Sequence, residues 1–406
     1  MSQKKPLEGV RVVDFSMYAA TPCCGRMLAY LGADVVKVEP VTGDIYRYMG
    51  SMIKSSATDE EAPGYDLENV GKRSLAVNLK SEEAAQIVHK LIAGADIMIT
   101  NYREGALKKL KLEYDDLKKI NPRLVYGLVD GFGEKGPEAG RPGYDTASFM
   151  ARSGILGDFV EPDAPPLNPM GAMGDHATGV ALTAGVLGAY VGALRTGKGD
   201  KVLASLYHGG IWAVSSLLIG TQYGDTYPKS RYNPVVTPIT HTYQCKDGEW
   251  VMLGALDMSK HWPALCKAME REDLLKEEKY NSMSNQIKNQ KELIPVLEGI
   301  IEQKPFAEWA KRFVQFDVPH EKVGHVKDIA HDEQALVNNF IRPITYPSSG
   351  KTVYIATPPF KLQEAGEEDV KEAPKTGEHT VEILGELGYS PEEIETLKTQ
   401  KVVRAK

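Results

Sequence analysis

The residues best suited to chemistry stand at Gly174-Asp175-His176, where a turn-rich loop beginning at Asn168 gives way to an uncharged run from Ala177 to Leu194. A proline-free run of small and apolar residues reads as a buried helix, so Asp175 is the last carboxylate before an apolar wall. One role for such a group is to cap the helix by accepting hydrogen bonds from its free N–H groups. The other is to face a ligand, because glycines at 171 and 174 would clear space beside it. Gly179, Gly185, Gly188 and Gly192 behind it suit close packing of the helix on a neighbour.

A second cluster joins an amide, an aromatic ring and cations in Asn101-Tyr102-Arg103-Glu104-Gly105-Ala106-Leu107-Lys108-Lys109. With Lys72 and Arg73 it could hold a phosphorylated, adenine-bearing ligand, the ring against Tyr102 and the phosphates against lysines. A solvated basic helix start fits the same composition. The stretch Gly131-Phe132-Gly133-Glu134-Lys135-Gly136 matches GxGxxG, but Pro137, Gly140, Pro142 and Gly143 follow. No helix opens there to receive a pyrophosphate, and a glycine loop able to close over a neighbouring site is the better reading. Glu39 sits where a dinucleotide fold keeps its ribose-binding acid, yet the loop 16–21 has no glycine for the pyrophosphate. Gly192 to Gly199 lacks the Ser/Thr of a P-loop, no GxSxG elbow occurs, and the nine histidines form neither HxH nor HExxH.

Alternating strands and helices position these groups. Strands are predicted at 10–15, 34–39, 75–79, 96–100, 124–130 and 201–206, with a helix at 22–31 and another capped by Ser81 running through Leu91. This order argues for a doubly wound parallel sheet, whose ligands bind beyond the carboxyl ends of its strands. The expected organisation is a large domain over 1–222, a Tyr/Pro/Gly-rich linker at 223–240, a small α+β domain at 241–335 and a return segment at 336–406. The return segment carries strands at 341–346 and 353–355, then helices starting near Thr380 and Pro391, and is expected to rejoin the first domain or a second subunit.

Composition narrows the class. At 406 residues, 42% hydrophobic and 25% charged, the chain is an ordinary globular protein. A net charge of −7 with no long basic run argues against nucleic acid as a partner. Four glycines and two threonines dilute the run 177–194, so a membrane span is not expected. No secretory signal is visible, and Cys23, Cys24, Cys245 and Cys266 form no CxxC pair, so a reducing cytoplasm is expected.

Several stretches, in order along nearly the whole chain, resemble the class III coenzyme A-transferases, the group containing formyl-CoA transferase and carnitine CoA-transferase. They are PLEGVRVVDFS at 6–16, LGADVVKVEP at 31–40, NVGKRSLAVNLKS at 69–81, GALKKL at 105–110, GFGEKGP at 131–137, GDHATG at 174–179, TGKGDKV at 196–202 and GEHT at 377–380. YDLEN at 65–69, GFGEKGP and GDH look most similar to clostridial transferases that move CoA among 2-hydroxy and 2-enoyl acids, such as phenyllactate and 2-hydroxyisocaproate.

The resemblance implies an interlocked homodimer with a Rossmann-like large domain and a small α+β domain, and a catalytic aspartate at Asp175. CoA contacts would fall on Tyr18, Ala19, Ala20, Lys72, Asn101, Tyr102, Ala106 and Lys109. Pro40 and Lys109 stand where formyl-CoA transferase has arginines, and its glycine-rich lid is missing, which argues against oxalate and formate. The implied chemistry has Asp175 attack an acyl-CoA thioester to give a mixed anhydride, then an aspartyl-CoA thioester, with backbone N–H groups near Gly133 or the Asp175 helix start steadying oxyanions. It needs no metal and no cofactor beyond CoA as substrate. Two alternatives stay open. A 2-methylacyl-CoA racemase would use the same aspartate with a histidine from a GHD triplet, which here reads Gly143-Tyr144-Asp145, although His176 adjoins Asp175. A CoA-binding protein without turnover is the other. Met17, Tyr18, Met170, Met173 and Trp212 could line an apolar acyl pocket.

Overall fold

A computed structural model describes residues 5–167, 171–234, 236–366 and 370–405. Six strands run parallel: β1 (Arg11–Phe15), β2 (Asp34–Pro40), β3 (Arg73–Val77), β4 (Ile97–Thr100), β5 (Val125–Asp130) and β6 (Lys201–Ser205). The β-branched runs of all but β6 are buried on both faces, as central parallel strands require, with Val12, Val13, Phe15, Val35, Val38, Leu75 and Ile99 at most 1% exposed. The order β3-β2-β1-β4-β5-β6 is that of a doubly wound sheet. The direction in which successive strands are added reverses between β1 and β4, so the loops after those strands flank a crevice.

The chain divides into two compact units. The first comprises Met1–Ile155, Asn168–Ile219 and Ala330–Lys406, and the second Leu156–Leu167 and Gly220–Ile329. Two expected boundaries shift. Residues 223–240 are part of the second unit rather than a linker: Ile239 is in its core, and Arg231 bonds Glu298 through Nε at 2.8 Å and the Thr242 carbonyl at 3.0 Å. The Arg231 amide also donates to Glu161 at 3.2 Å, which ties 156–167 to the same unit. Turn-rich composition suggested a linker, and the long-range pairing that folds it in leaves no local signal.

Within the second unit β7 (Thr242–Gln244), β8 (Trp250–Leu253) and β9 (His320–Lys322) form an antiparallel sheet packed with helices around Trp262, Trp309 and Phe313. The third strand, only three residues long, was not legible. In the first unit β10 (Ile341–Thr345) pairs with β11 (Thr352–Ala356), and β12 (Val403–Arg404) adds an antiparallel edge to β3. The GEHT motif explains this return. Gly377 donates to Ser74 Oγ at 2.8 Å, and Thr380 Oγ1 accepts from the Ala76 amide at 3.2 Å.

The helix Met173–Thr196 begins four residues before the uncharged run. By length and composition it could cross a membrane. Here it packs on the helix Ala20–Tyr30 and on β5 and β6. Its glycines divide by role: a Cβ on Gly179 would stand 2.5 Å from the Ala20 carbonyl oxygen, and one on Gly185 would stand 2.7 Å from Val202. Gly188 and Gly192 face open space. Close helix packing therefore needs only the first of the four, and strand packing the second.

Candidate active site

Beyond the carboxyl ends of β1, β4 and β5 lies a cavity of about 1400 Å³. Residues 17–20, 101–107, 130–134 and 144–146 line it, together with Ala172, Asp175 and His176. Topology alone puts ligands at this edge.

Asp175 is in the first turn of the long helix but does not cap it. The N-cap is Ala172, in the left-handed region at φ +57° with no side chain able to accept. Asp145, 30 residues upstream, supplies the cap instead: its Oδ1 accepts from the Gly174 amide at 2.7 Å and the Asp175 amide at 3.2 Å. Asp175 is thereby released from capping, and among the described residues no donor reaches its carboxylate. Burial first, then Asp145 and Glu68, push its pKa up to about 7, with His176 opposing. A carboxylate poised near neutrality in a cavity wall is a mark of function. The space at Gly174 is not a ligand's, because a Cβ there would lie 2.2 Å from Phe149 Cγ and 2.4 Å from Asp145 Oδ1.

His176 Nε2 meets Glu68 Oε1 at 2.7 Å, the ring half-exposed and the carboxylate buried. Glu68 comes from the helix Pro63–Asn69, which carries the YDLEN stretch. Each polar side chain of that stretch anchors something. The Tyr65 hydroxyl accepts from Arg47 at 2.7 Å, Asp66 accepts from the Tyr346 hydroxyl and the Ala373 amide, and Asn69 Oδ1 accepts from Lys72 at 2.8 Å. Glu39, at the ribose-acid position, is buried and engaged by Arg47 at 2.8 Å and Ser74 at 2.6 Å. It braces the segment 44–48 and binds no ribose.

Of the residues expected at CoA, Tyr18, Ala19, Ala20, Asn101, Tyr102 and Ala106 line the cavity. Asn101 clamps the first loop, accepting from the Met17 amide at 3.0 Å and donating to its carbonyl at 2.7 Å. Tyr18 takes the left-handed region at φ +66° with its ring edge-on to Tyr144, centroids 6.1 Å apart. Tyr102 rests one face on Phe15 at 4.5 Å. Lys72 must be corrected, since its Nζ is buried and donates to Asp14 at 2.7 Å, to the Pro22 carbonyl at 2.8 Å and to Asn69. All three of its N–H groups are used inside the protein, so none is left for a phosphate. Arg73 is likewise engaged, by Asp34, Glu382 and Glu386. Lys109 is exposed on the helix Glu104–Leu110 and lies outside the cavity lining.

Both expected sources of backbone oxyanion donors have amides already engaged inside the protein. The Gly133 amide donates to Asp130 Oδ1 at 2.7 Å, and the helix-start amides serve Asp145. The glycine loop is also pinned at its base, where a Cβ on Gly143 would lie 2.2 Å from Gly131 Cα. Met17 and Tyr18 line the cavity, whereas Met173 and Trp212 do not and are 50% and 78% exposed. Met170 lies outside the described residues. Apolar lining comes instead from Met49, Met52, Ile53 and Leu67, beside Tyr46. Burial and the nearby Glu68 and Asp175 raise the Tyr46 phenol's pKa. Sequence reading missed Tyr46, Glu68 and Asp145 as site residues. The YDLEN match contained Glu68 and the triplet Gly143-Tyr144-Asp145 contained Asp145, but neither residue was given a role.

Comparisons with known proteins agree with this geometry. A sequence model of CoA-transferase family III matches residues 7–380. The chain is 39% identical over 398 residues to an (R)-2-hydroxy-4-methylpentanoate CoA-transferase of Clostridioides difficile, covering 98% of this chain and 99% of that protein. It is 36% identical to a cinnamoyl-CoA:phenyllactate CoA-transferase of Clostridium sporogenes, covering 97% and 96%. The crystal structure of a CAIB/BAIF family protein from Brucella suis superposes with a TM-score of 0.80 at 28% identity, over 95% of this chain and all of that one. With the mostly parallel seven-stranded sheet, the cavity at its switch point and a match running nearly end to end, this chain belongs to CoA-transferase family III and is a CoA-transferase.

Proposed function

We propose that this protein moves coenzyme A between a 2-enoyl- or 2-hydroxyacyl-CoA and a free (R)-2-hydroxy acid, with Asp175 as the covalent relay. The observation that carries the reading is the Asp175 carboxylate itself, set in the cavity wall, relieved of capping by Asp145 and bonded by no donor among the described residues. In its ionised form an Asp175 oxygen attacks the thioester carbonyl carbon, and collapse of the adduct expels CoA thiolate and leaves a mixed anhydride. Thiolate attack on the aspartyl carbonyl then releases the first acid and leaves an aspartyl-CoA thioester. The incoming carboxylate reverses both steps, so the thioester's energy is conserved and no water enters.

Met49, Met52, Ile53 and Leu67 supply an apolar lining suited to a branched aliphatic or aromatic acyl chain, and the two clostridial relatives act on acids of those kinds. The test is CoA transfer from isocaproyl-CoA and cinnamoyl-CoA to a panel of acids, followed by chromatography. Transfer to (R)-4-methyl-2-hydroxypentanoate or (R)-phenyllactate should exceed that to acetate or oxalate by at least about tenfold, since one or two buried methylenes contribute about 1–3 kcal/mol. Exchange of the substrate α-proton without CoA movement would instead support the racemase.

The reading includes a homodimer. Trp212 is 78% exposed, and Val180, Val191 and Leu194 on the long helix and Leu203 on β6 are open as well, a set of apolar side chains that a second copy would cover. Light scattering at micromolar concentration should give twice the chain mass. A monomer would contradict this part.

A further inference from the structure

We infer that Glu68 and His176 form a catalytic dyad, in which the His176 ring donates a hydrogen bond to the acyl oxygen that becomes negative during transfer and Glu68 positions that ring. The inference rests on the Asp175 relay proposed above. Three observations carry it. First, four backbone amides around Asp175 and the glycine loop are engaged: Gly133 by Asp130, Gly174 and Asp175 by Asp145, and His176 by the Ala172 carbonyl at 2.9 Å. An oxyanion formed at Asp175 needs a donor other than these four, and one preorganised donor changes turnover by about 10²–10³-fold.

Second, the ring is held. Its Nε2 lies 2.7 Å from Glu68 Oε1, whose side chain is 2% exposed, while His176 is half-exposed and lines the same cavity as Asp175. Nδ1 has no partner among the described residues. A carboxylate on one ring nitrogen fixes the ring's orientation and favours its protonated form, leaving the other nitrogen as a donor.

Third, the site is rich in negative charge. Asp175, Asp145 and Glu68 all act on His176, Glu68 most strongly through its hydrogen bond, and together they hold the imidazole above its ordinary pKa. The charges of Asp175 and Glu68 act on the Tyr46 phenol, and that of Glu68 also acts on the Cys23 thiol and the Lys72 ammonium. An entering acid brings one more negative charge into this group. His176 lines the cavity and is bonded directly to Glu68 of this cluster.

The step balances without proton transfer. A lone pair on Asp175 forms the bond to the thioester carbon, and the carbonyl π pair moves onto oxygen opposite Nδ1–H. Its return breaks the C–S bond and releases CoA thiolate, while the imidazolium keeps its proton.

The test compares wild type, His176→Phe, His176→Gln and Glu68→Gln, each checked for cooperative melting, by kcat, KM, pH profile and hydroxylamine trapping of acyl groups on Asp175. His176→Phe should lower kcat by about 10²–10³-fold with KM for acyl-CoA changed less than about threefold. His176→Gln, which keeps an N–H donor, should recover part of that loss. Glu68→Gln should lower kcat by about tenfold and move the alkaline limb of kcat to lower pH, because the ring has lost the anion that keeps it protonated. A folded His176→Phe with kcat near wild type, on an enzyme whose wild type traps at Asp175, would overturn the dyad and leave the relay standing. An unmoved alkaline limb in folded Glu68→Gln would also overturn Glu68's part. Wild type that transfers CoA with no trapped adduct would sink the relay itself.

Discussion

Replacing Asp175 by asparagine should lower CoA transfer by about 10⁴-fold or more, since the amide cannot form the anhydride, and should stabilise the fold above neutral pH. The stability effect follows from the carboxylate's surroundings. Burial and two neighbouring carboxylates hold the folded pKa at about 7, against about 4 in the unfolded chain. Between those values the unfolded chain has lost a proton that the folded chain still binds, so wild-type stability falls as pH rises through the window. Below about pH 4 the group is protonated in both states and the penalty vanishes; above about pH 7 it is complete. Asparagine does not titrate, and its advantage should therefore grow from pH 4 to 7 and then level off, at a magnitude on the order of 2–4 kcal/mol. Urea melts of both proteins at pH 5 and pH 8 measure it. A variant that loses turnover but is less stable at pH 8 would mean the carboxylate is structural.

The second large effect is at Lys72. Its ammonium is fully buried and bound to Asp14, the Pro22 carbonyl and Asn69. Lys72→Met removes one partner of a buried pair and leaves Asp14, which is 0% exposed, with Ser16 as hydrogen-bond partner and Lys37 nearby. Such an uncompensated charge costs about 3–5 kcal/mol, whereas removing both charges is often neutral or better. Lys72→Met should therefore lower the urea midpoint strongly while the folded fraction keeps KM for acyl-CoA within about twofold. Lys72→Met with Asp14→Leu should regain most of the stability. A CoA-binding lysine would show the reverse, a raised KM with stability intact.

The contrast between Lys72 and Asp175 shows what a sequence makes legible. Asp175 announces itself locally, because glycines and a charge-free run surround it. The parallel sheet was equally plain, since β-branched runs alternating with helices admit few topologies. Lys72 looked like a phosphate ligand because the acceptors that consume its charge lie 50 and 58 residues away at Pro22 and Asp14. Asp145 hid for the same reason, capping a helix 29 residues downstream. Glu68 and Tyr46 come from short helices whose placement against Asp175 depends on Arg47 bridging to Glu39 and Tyr65. The strands 320–322 and 403–404 are too short to carry a period and exist because a sheet edge was waiting for them. What the residues do with their immediate neighbours was readable, and what they do across the fold was not.

The central claim is that acyl groups pass through Asp175. Incubating the protein with cinnamoyl-CoA or isocaproyl-CoA, quenching with hydroxylamine and mapping peptides by mass spectrometry tests it most directly. The account predicts a hydroxamate on the peptide carrying Asp175, formed in wild type and missing from Asp175→Asn. Efficient CoA transfer with that peptide unmodified, or a hydroxamate on another carboxylate, would contradict it.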